Sequence, residues 1–108
     1  MTGARLATWL WISAWLHRLD LAGRAAYVLH RGDPTAGAVL VKCATLDGRA
    51  AVWSREWDFE TDTRPWVRIE EGEEPAIDAQ VRRQMASDPD LWVVEVEARD
   101  GDPRLGED

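Results

Sequence analysis

A chain of 108 residues with one cysteine, Cys43, can form no internal disulfide, yet it is long enough to bury a core without a metal or a cross-link. Thirteen basic against twenty acidic side chains leave a net charge of −7, which repels a phosphate backbone and argues against nucleic acid as a partner. Hydrophobic residues at 45% exclude a natively unfolded chain, and the length fits a single domain over residues 1–108, with residues 100–108 expected as a disordered tail.

Residues 5–22 have helical spacing. Trp9, Ile12, Leu16 and Leu19 fall on one stripe with Trp15 beside it, and Gly23 follows as a C-terminal cap. Residues 6–12 also fit a short strand leading to a helix capped by Ser13; the long helix is the preferred reading. His17, Arg18 and Asp20 interrupt this apolar stretch, and no basic leader precedes it, so neither a spanning helix nor a signal peptide is expected. With the lone cysteine, this suggests a cytoplasmic protein that does not enter membranes.

Residues 25–31 read as a strand, and 31–37, with Asp-Pro and two glycines, as a turn. Residues 38–45 form a strand in which Val39, Val41 and Cys43 alternate with Ala38, Leu40 and Lys42. Asp47-Gly48 marks a hairpin, and residues 49–57 return with Ala51, Trp53, Arg55 and Trp57 on one face. A polar turn at 58–65 leads to a short strand at 66–69. An acidic break at 70–75 then precedes a helix over 76–87, with Pro75 near its start and Ile77, Val81 and Met85 along one face. Residues 91–98 are a last strand, with Trp92, Val94 and Val96 facing one way and Val93, Glu95 and Glu97 the other. The order α-β-β-β-β-α-β and the hairpin spacing predict an α+β fold: an antiparallel sheet of four to five strands with both helices on one face and the other face wet.

Few constellations carry chemistry. His17 and His30 lie in no metal-ligand spacing with Cys43, which reads as a small buried hydrophobe, and no metal or cofactor is expected. Arg31-Gly32-Asp33 reads as part of a turn, although its polar side chains stand at a sheet end, where sites often lie. Glu95 and Glu97 could serve a metal-dependent nuclease only with a lysine beside them, and the sequence places none there; a polar edge strand is the plainer reading. Phosphate-binding loops and nucleophile elbows are absent. The one unusual feature is seven Trp against one Tyr and one Phe. On a helix Trp9, Trp11 and Trp15 cannot share a face, so at least one should reach solvent, where Trp is a frequent contact residue.

Three segments taken together are similar to a known family: WISAWLHRLDLAGRAAYVLHRGD (11–33), RGDPTAGAVLVK (31–42) and DPDLWVVEVEARDG (88–101). They resemble the bacterial domain-of-unknown-function family numbered 1491, over residues 5–101. The resemblance implies a small stand-alone bacterial protein and brings no activity or catalytic residues with it. It draws attention to Arg31, Asp33, Lys42, Asp88, Asp90 and Trp92 as a candidate functional surface. The expected function is a non-catalytic module that binds a protein partner or a second copy of itself through Trp9, Trp11 or Trp15 and a sheet edge. The alternative is a small enzyme with a polar site at the 31–37 loop and carboxylates from residues 88–97.

Overall fold

The computed structural model describes residues 6–55 and 58–106. Arg5 of the expected helix, Trp57 of the expected third strand and residues 107–108 of the expected tail lie outside the described residues. The elements run α1 (Thr8–Leu21), β1 (Ala25–His30), β2 (Val39–Ala44), β3 (Arg49–Arg55), β4 (Trp66–Glu73), α2 (Glu74–Ser87) and β5 (Trp92–Glu97). This is the α+β order read from the sequence. Residues 8–12 are helical, which settles the ambiguity at that end in favour of the helix.

Helix α1 closes as its sequence suggests. Ala22 is the C-cap, and Gly23 takes φ +74°, a conformation that costs glycine little. The Gly23 N–H donates to Asp20 O and the Arg24 N–H to Leu19 O, a Schellman closure that satisfies two terminal carbonyls. The buried stripe is Ile12, Trp15 and Leu19. Trp9, expected on that stripe, is about half exposed, because the helix is rotated to bring Trp11 and Trp15 inward.

Five strands form one sheet in the order β1-β5-β2-β3-β4. All neighbours are antiparallel except β2 and β5, which run parallel with Val41 beside Val94 and Lys42 beside Glu95. The expected antiparallel sheet of four to five strands is therefore present with one parallel pair, which hairpin spacing does not report because it concerns only strands that are neighbours in sequence. Strand β4 also runs through the acidic residues 70–73, held by pairing with Arg49 to Val52 of β3.

The two helices lie on opposite faces, not on one. Ile12, Trp15 and Leu19 of α1 pack on Val41, Cys43, Trp92, Val94 and Val96. Ile77 and Val81 of α2 pack on Leu40, Ala50, Val52, Leu91 and Val93. Strand β2 is buried along nearly its whole length, as a central strand covered from both sides must be. The expected wet face rested on Glu95 and Glu97, but Leu91 and Val93 on that same side are buried under α2.

The segment after β5 runs back along the core through residue 106. Pro103 is buried, its carbonyl accepts the Trp15 indole N–H at 3.0 Å, and Leu105 packs on the α1-side core. Arg24 grips Asp100 with two hydrogen bonds of 2.8 Å. No helix among the described residues is long and apolar enough to cross a membrane.

Candidate functional site

The recognisable segments 31–37 and 88–92 meet at one end of the sheet, where they hold each other. The Asp33 N–H donates to Asp90 O at 3.0 Å, and the Trp92 indole N–H donates to Asp33 O at 2.8 Å. The Arg31 guanidinium lies over the Trp92 ring, 5.4 Å from its centre. His30 Nδ1 is 2.6 Å from Leu91 O. Gly32 and Gly37 are pressed on the backbone at Asp90, where a Cβ at either would overlap the Asp90 carbonyl oxygen. Asp33 closes its own turn by accepting from the Ala36 N–H, as Asp88 does from the Asp90 N–H.

The same loop caps α1. The helix has Ala7 at its N-cap and no side-chain cap, so its first N–H groups need other acceptors. Thr8 N–H donates to Thr35 O and Trp9 N–H to Pro34 O, and Thr8 Oγ1 donates to Gly37 O at 2.9 Å. Arg31, Asp33, Asp88, Asp90 and Trp92 are thus brought together, as the sequence grouped them. The contacts they make there fasten loop, helix and central strand.

Lys42 stands apart from that group. It lies on the α2 side of the sheet and is 3% exposed. Its Nζ is 2.7 Å from Glu74, 2.6 Å from Asp78 and 3.3 Å from Glu95. Burial by itself would lower the pKa of this amine, but hydrogen bonds to Asp78 and Glu74 and the charge of Glu95 outweigh it and hold the pKa above its ordinary value. A lysine therefore does sit beside Glu95, where the sequence reading saw none. Its ammonium occupies the space between the carboxylates that a divalent cation would need. Among the described residues no three His, Cys, Asp or Glu are grouped to hold a metal. Cys43 is buried, and burial with the nearby Asp100 raises its thiol pKa to about 11, partly opposed by Arg24, so it is a neutral thiol at neutral pH.

The Trp set divides between interior and surface. Trp15 is fully buried, which removes it from the expected contact surface. Trp11 stacks between Trp15 at 5.2 Å and Trp66 of β4 at 5.5 Å. Trp9 and Trp11 are about 200° apart around the helix. With Trp11 turned toward Trp66 of β4, Trp9 is turned away from it and is about half exposed.

Beside the stack lies a cleft of about 380 Å³ that the sequence reading did not anticipate. Trp53, Arg55, Arg64, Trp66 and Leu105 line it, with Asp102 on its rim segment. The Arg55 guanidinium is 5.0 Å from the centre of the Trp66 ring and 5.8 Å from that of Trp11. The indole N–H groups of Trp53 and Trp66 are out of water and have no hydrogen-bond acceptor among the described residues. A signal for this cleft was present in the sequence. Trp53-x-Arg55 puts a tryptophan and an arginine on one face of β3, Arg64 lies two residues before Trp66 at the start of β4, and Arg55 pairs with Trp66 across β3 and β4.

The two open edges of the sheet differ in kind. Edge strand β4 carries Arg68, Glu70, Glu71 and Glu73, charges that discourage another strand from adding on. Edge strand β1 carries no formally charged side chain and exposes Tyr27, Val28 and Leu29, while Leu21 at the end of α1 is 74% exposed. A bulge between Val28 and His30 limits the regular run to residues 25–28.

A family described as "Protein of unknown function (DUF1491)" matches residues 6–106. Among solved structures, the chain is similar to the crystal structure of a DUF1491 family protein from Caulobacter crescentus CB15. The identity is 40%, 94% of each chain is covered, and the TM-score is 0.80. The NMR structure of a DUF1491 family protein from Caulobacter crescentus CB15 is similar at 39% identity and TM-score 0.83, covering 97% of this chain and 96% of that one. Protein Atu0922 from A. tumefaciens, solved in solution, is similar at 30% identity and TM-score 0.71, covering 88% and 87%. No curated protein matches the chain.

Proposed function

Because the chain belongs to the DUF1491 family, whose function is unknown, we propose that it is a non-catalytic interaction module that pairs with a second copy of itself along β1. The observation that carries this reading is the contrast between the edges. Charges guard β4, whereas residues 25–30 of β1 include no Asp, Glu, Lys or Arg in a chain of net charge −7. Such a strand lets two acidic copies approach without placing like charges opposite each other. Tyr27, Val28 and Leu29 supply exposed apolar area, and the half-exposed Trp9 is the kind of side chain that anchors interfaces. An antiparallel β1–β1 contact is self-complementary, as a two-fold dimer requires.

The buried neutral Cys43 supports a place in the reducing cytoplasm. Several of the groups on which an enzyme reading would draw are engaged. The Asp33 and Asp88 carboxylates accept from backbone N–H groups, and Glu95 holds Lys42 on the other face of the sheet.

The test is solution mass by light scattering across a concentration series. Trp11 stacks in the interior, so the informative variants are Tyr27→Lys and Leu29→Lys on β1, with Ile69→Lys on β4 as control. The expected result is a mass that doubles within about 1–100 µM, the range of a small interface. Both β1 variants should stay monomeric with unchanged circular dichroism, and the control should still dimerise. A wild type that stays monomeric throughout, or a dimer that only Ile69→Lys breaks, overturns the reading.

A further inference from the structure

We propose that the cleft between β3, β4 and residues 102–106 binds a small planar anion, an aromatic ring bearing one carboxylate or phosphate group. Its volume of about 380 Å³ falls within the range of small-molecule sites, near the lower end. Its walls are flat and apolar on one side, from Trp53, Pro65, Trp66 and Leu105. Rings are well received between such surfaces because offset stacking adds to the burial of area.

The charge of the ligand follows from what else lines the cleft. The exposed Arg64 places a guanidinium group in the cleft lining, and Arg55 stacks over the Trp66 ring beside it, so positive side chains gather here in a protein whose net charge is −7. Arginine is the side chain best shaped to hold a carboxylate or phosphate by paired hydrogen bonds. Asp102, also in the lining, disfavours a second negative group on the ligand.

The indoles give an independent reason to expect an acceptor. Trp53 Nε1 and Trp66 Nε1 are both buried and unmatched among the described residues, and both rings line the same cleft. Unmatched buried donors are uncommon in native proteins, and two in neighbouring side chains call for a cause. An oxygen-rich anion entering the cleft would supply the missing acceptors after a small shift of the rings. By comparison, the Trp15 and Trp92 indoles have their acceptors built in, at Pro103 O and Asp33 O.

The test follows the indole N–H signals in a 1H–15N spectrum of the whole chain, assigned with Trp53→Phe and Trp66→Phe. The probes are benzoate, phenyl phosphate, neutral benzamide, acetate and inorganic phosphate. The expected result is a saturable shift of the Trp53 and Trp66 signals with benzoate or phenyl phosphate, at a Kd of about 0.1–1 mM for so few atoms. Whichever of the two binds more tightly identifies the anion. Benzamide, acetate and phosphate alone should bind at least about tenfold more weakly, and Arg64→Ala, an exposed substitution, should cost about tenfold. Tyr27→Lys, at the other sheet edge, should leave binding unchanged, so the result does not depend on the state of assembly. Equal binding of benzamide and benzoate, no saturable shift up to ~10 mM, or shifts confined to other indoles would each overturn the proposal.

Discussion

Lys42→Met is the substitution whose outcome is most fully determined by the geometry. Methionine nearly conserves volume, so the change removes a charge and leaves little cavity. The Lys42 ammonium lies within 2.6–3.3 Å of three carboxylates, and without it Glu74, Asp78 and Glu95 face one another with no cation between them. Breaking a buried ion pair costs about 3–5 kcal/mol. The carboxylates here keep 19–39% of their surface, and solvent screens what remains, so the lower end, about 3 kcal/mol, applies. In a domain of this length that is a fall in Tm of about 12–24 °C.

The pH dependence fixes the sign. In the wild type the raised lysine pKa means that its contribution is complete below the unfolded value of about 10.4 and is lost only as pH rises beyond it. The wild-type advantage over Lys42→Met should therefore hold level from pH ~7 to about 10 and decline only above that. Urea denaturation of both proteins at several pH values measures it. A gap under about 0.5 kcal/mol, or one already shrinking between pH ~7 and ~9, would refute the assignment of Lys42 as the charge that holds α2 to the sheet.

Gly32→Ala should destabilise strongly, by about 2 kcal/mol or more, because its Cβ overlaps the Asp90 carbonyl and forces the cap of α1 apart. Hydrogen exchange should accordingly speed up first in the opening turn of α1. Asp100→Asn tests the clamp on Arg24, whose hydrogen bonds bring the Asp100 carboxyl down to about 2. The advantage of the wild type should be full above pH ~4, shrink between ~4 and 2, and vanish below; a difference constant from pH 2 to 6 counts against the clamp. Cys43, with its thiol raised to about 11, should resist alkylation at pH 8 in the native protein and react promptly in denaturant. Equal rates in the two states would mean that the strand opens.

Local chemistry was legible in the sequence and long-range pairing was not. Gly23 announced the end of α1, Asp47-Gly48 a hairpin whose Gly48 takes φ +87°, and Ile77 and Val81 the inner face of α2. Each depends on residues a few positions apart. The parallel β2–β5 pair joins Val39 to Trp92, and no turn between them reports it. From that one omission came the wrong placement of the helices, since a strand with Glu95 and Glu97 on one side looks half wet until Lys42 and α2 are laid over it. The candidate surface was legible in part. Segments 31–37 and 88–92 do meet, but Lys42, three residues past Val39 on β2, points to the other face. The Trp53 and Trp66 cleft was hidden because each half looks like an ordinary strand.

Strand β5 sits in the middle of the sheet, between β1 and β2, although it follows every other strand along the chain. On the ribosome, β1 and β2 emerge first and have nothing to hold them side by side until residues 92–97 arrive. The α1 helix waits as well, because its cap needs the Asp90 backbone behind the 31–37 loop, and the Trp15 indole finds its acceptor only at Pro103. Completing the sheet therefore depends on contacts remote in sequence, which is the slow kind. A chain halted before residue 92 would expose two unmatched strand edges, the form in which chains aggregate. The order in which this protein is made thus acts as a check on its completeness, since only a chain that has reached β5 can hide its core.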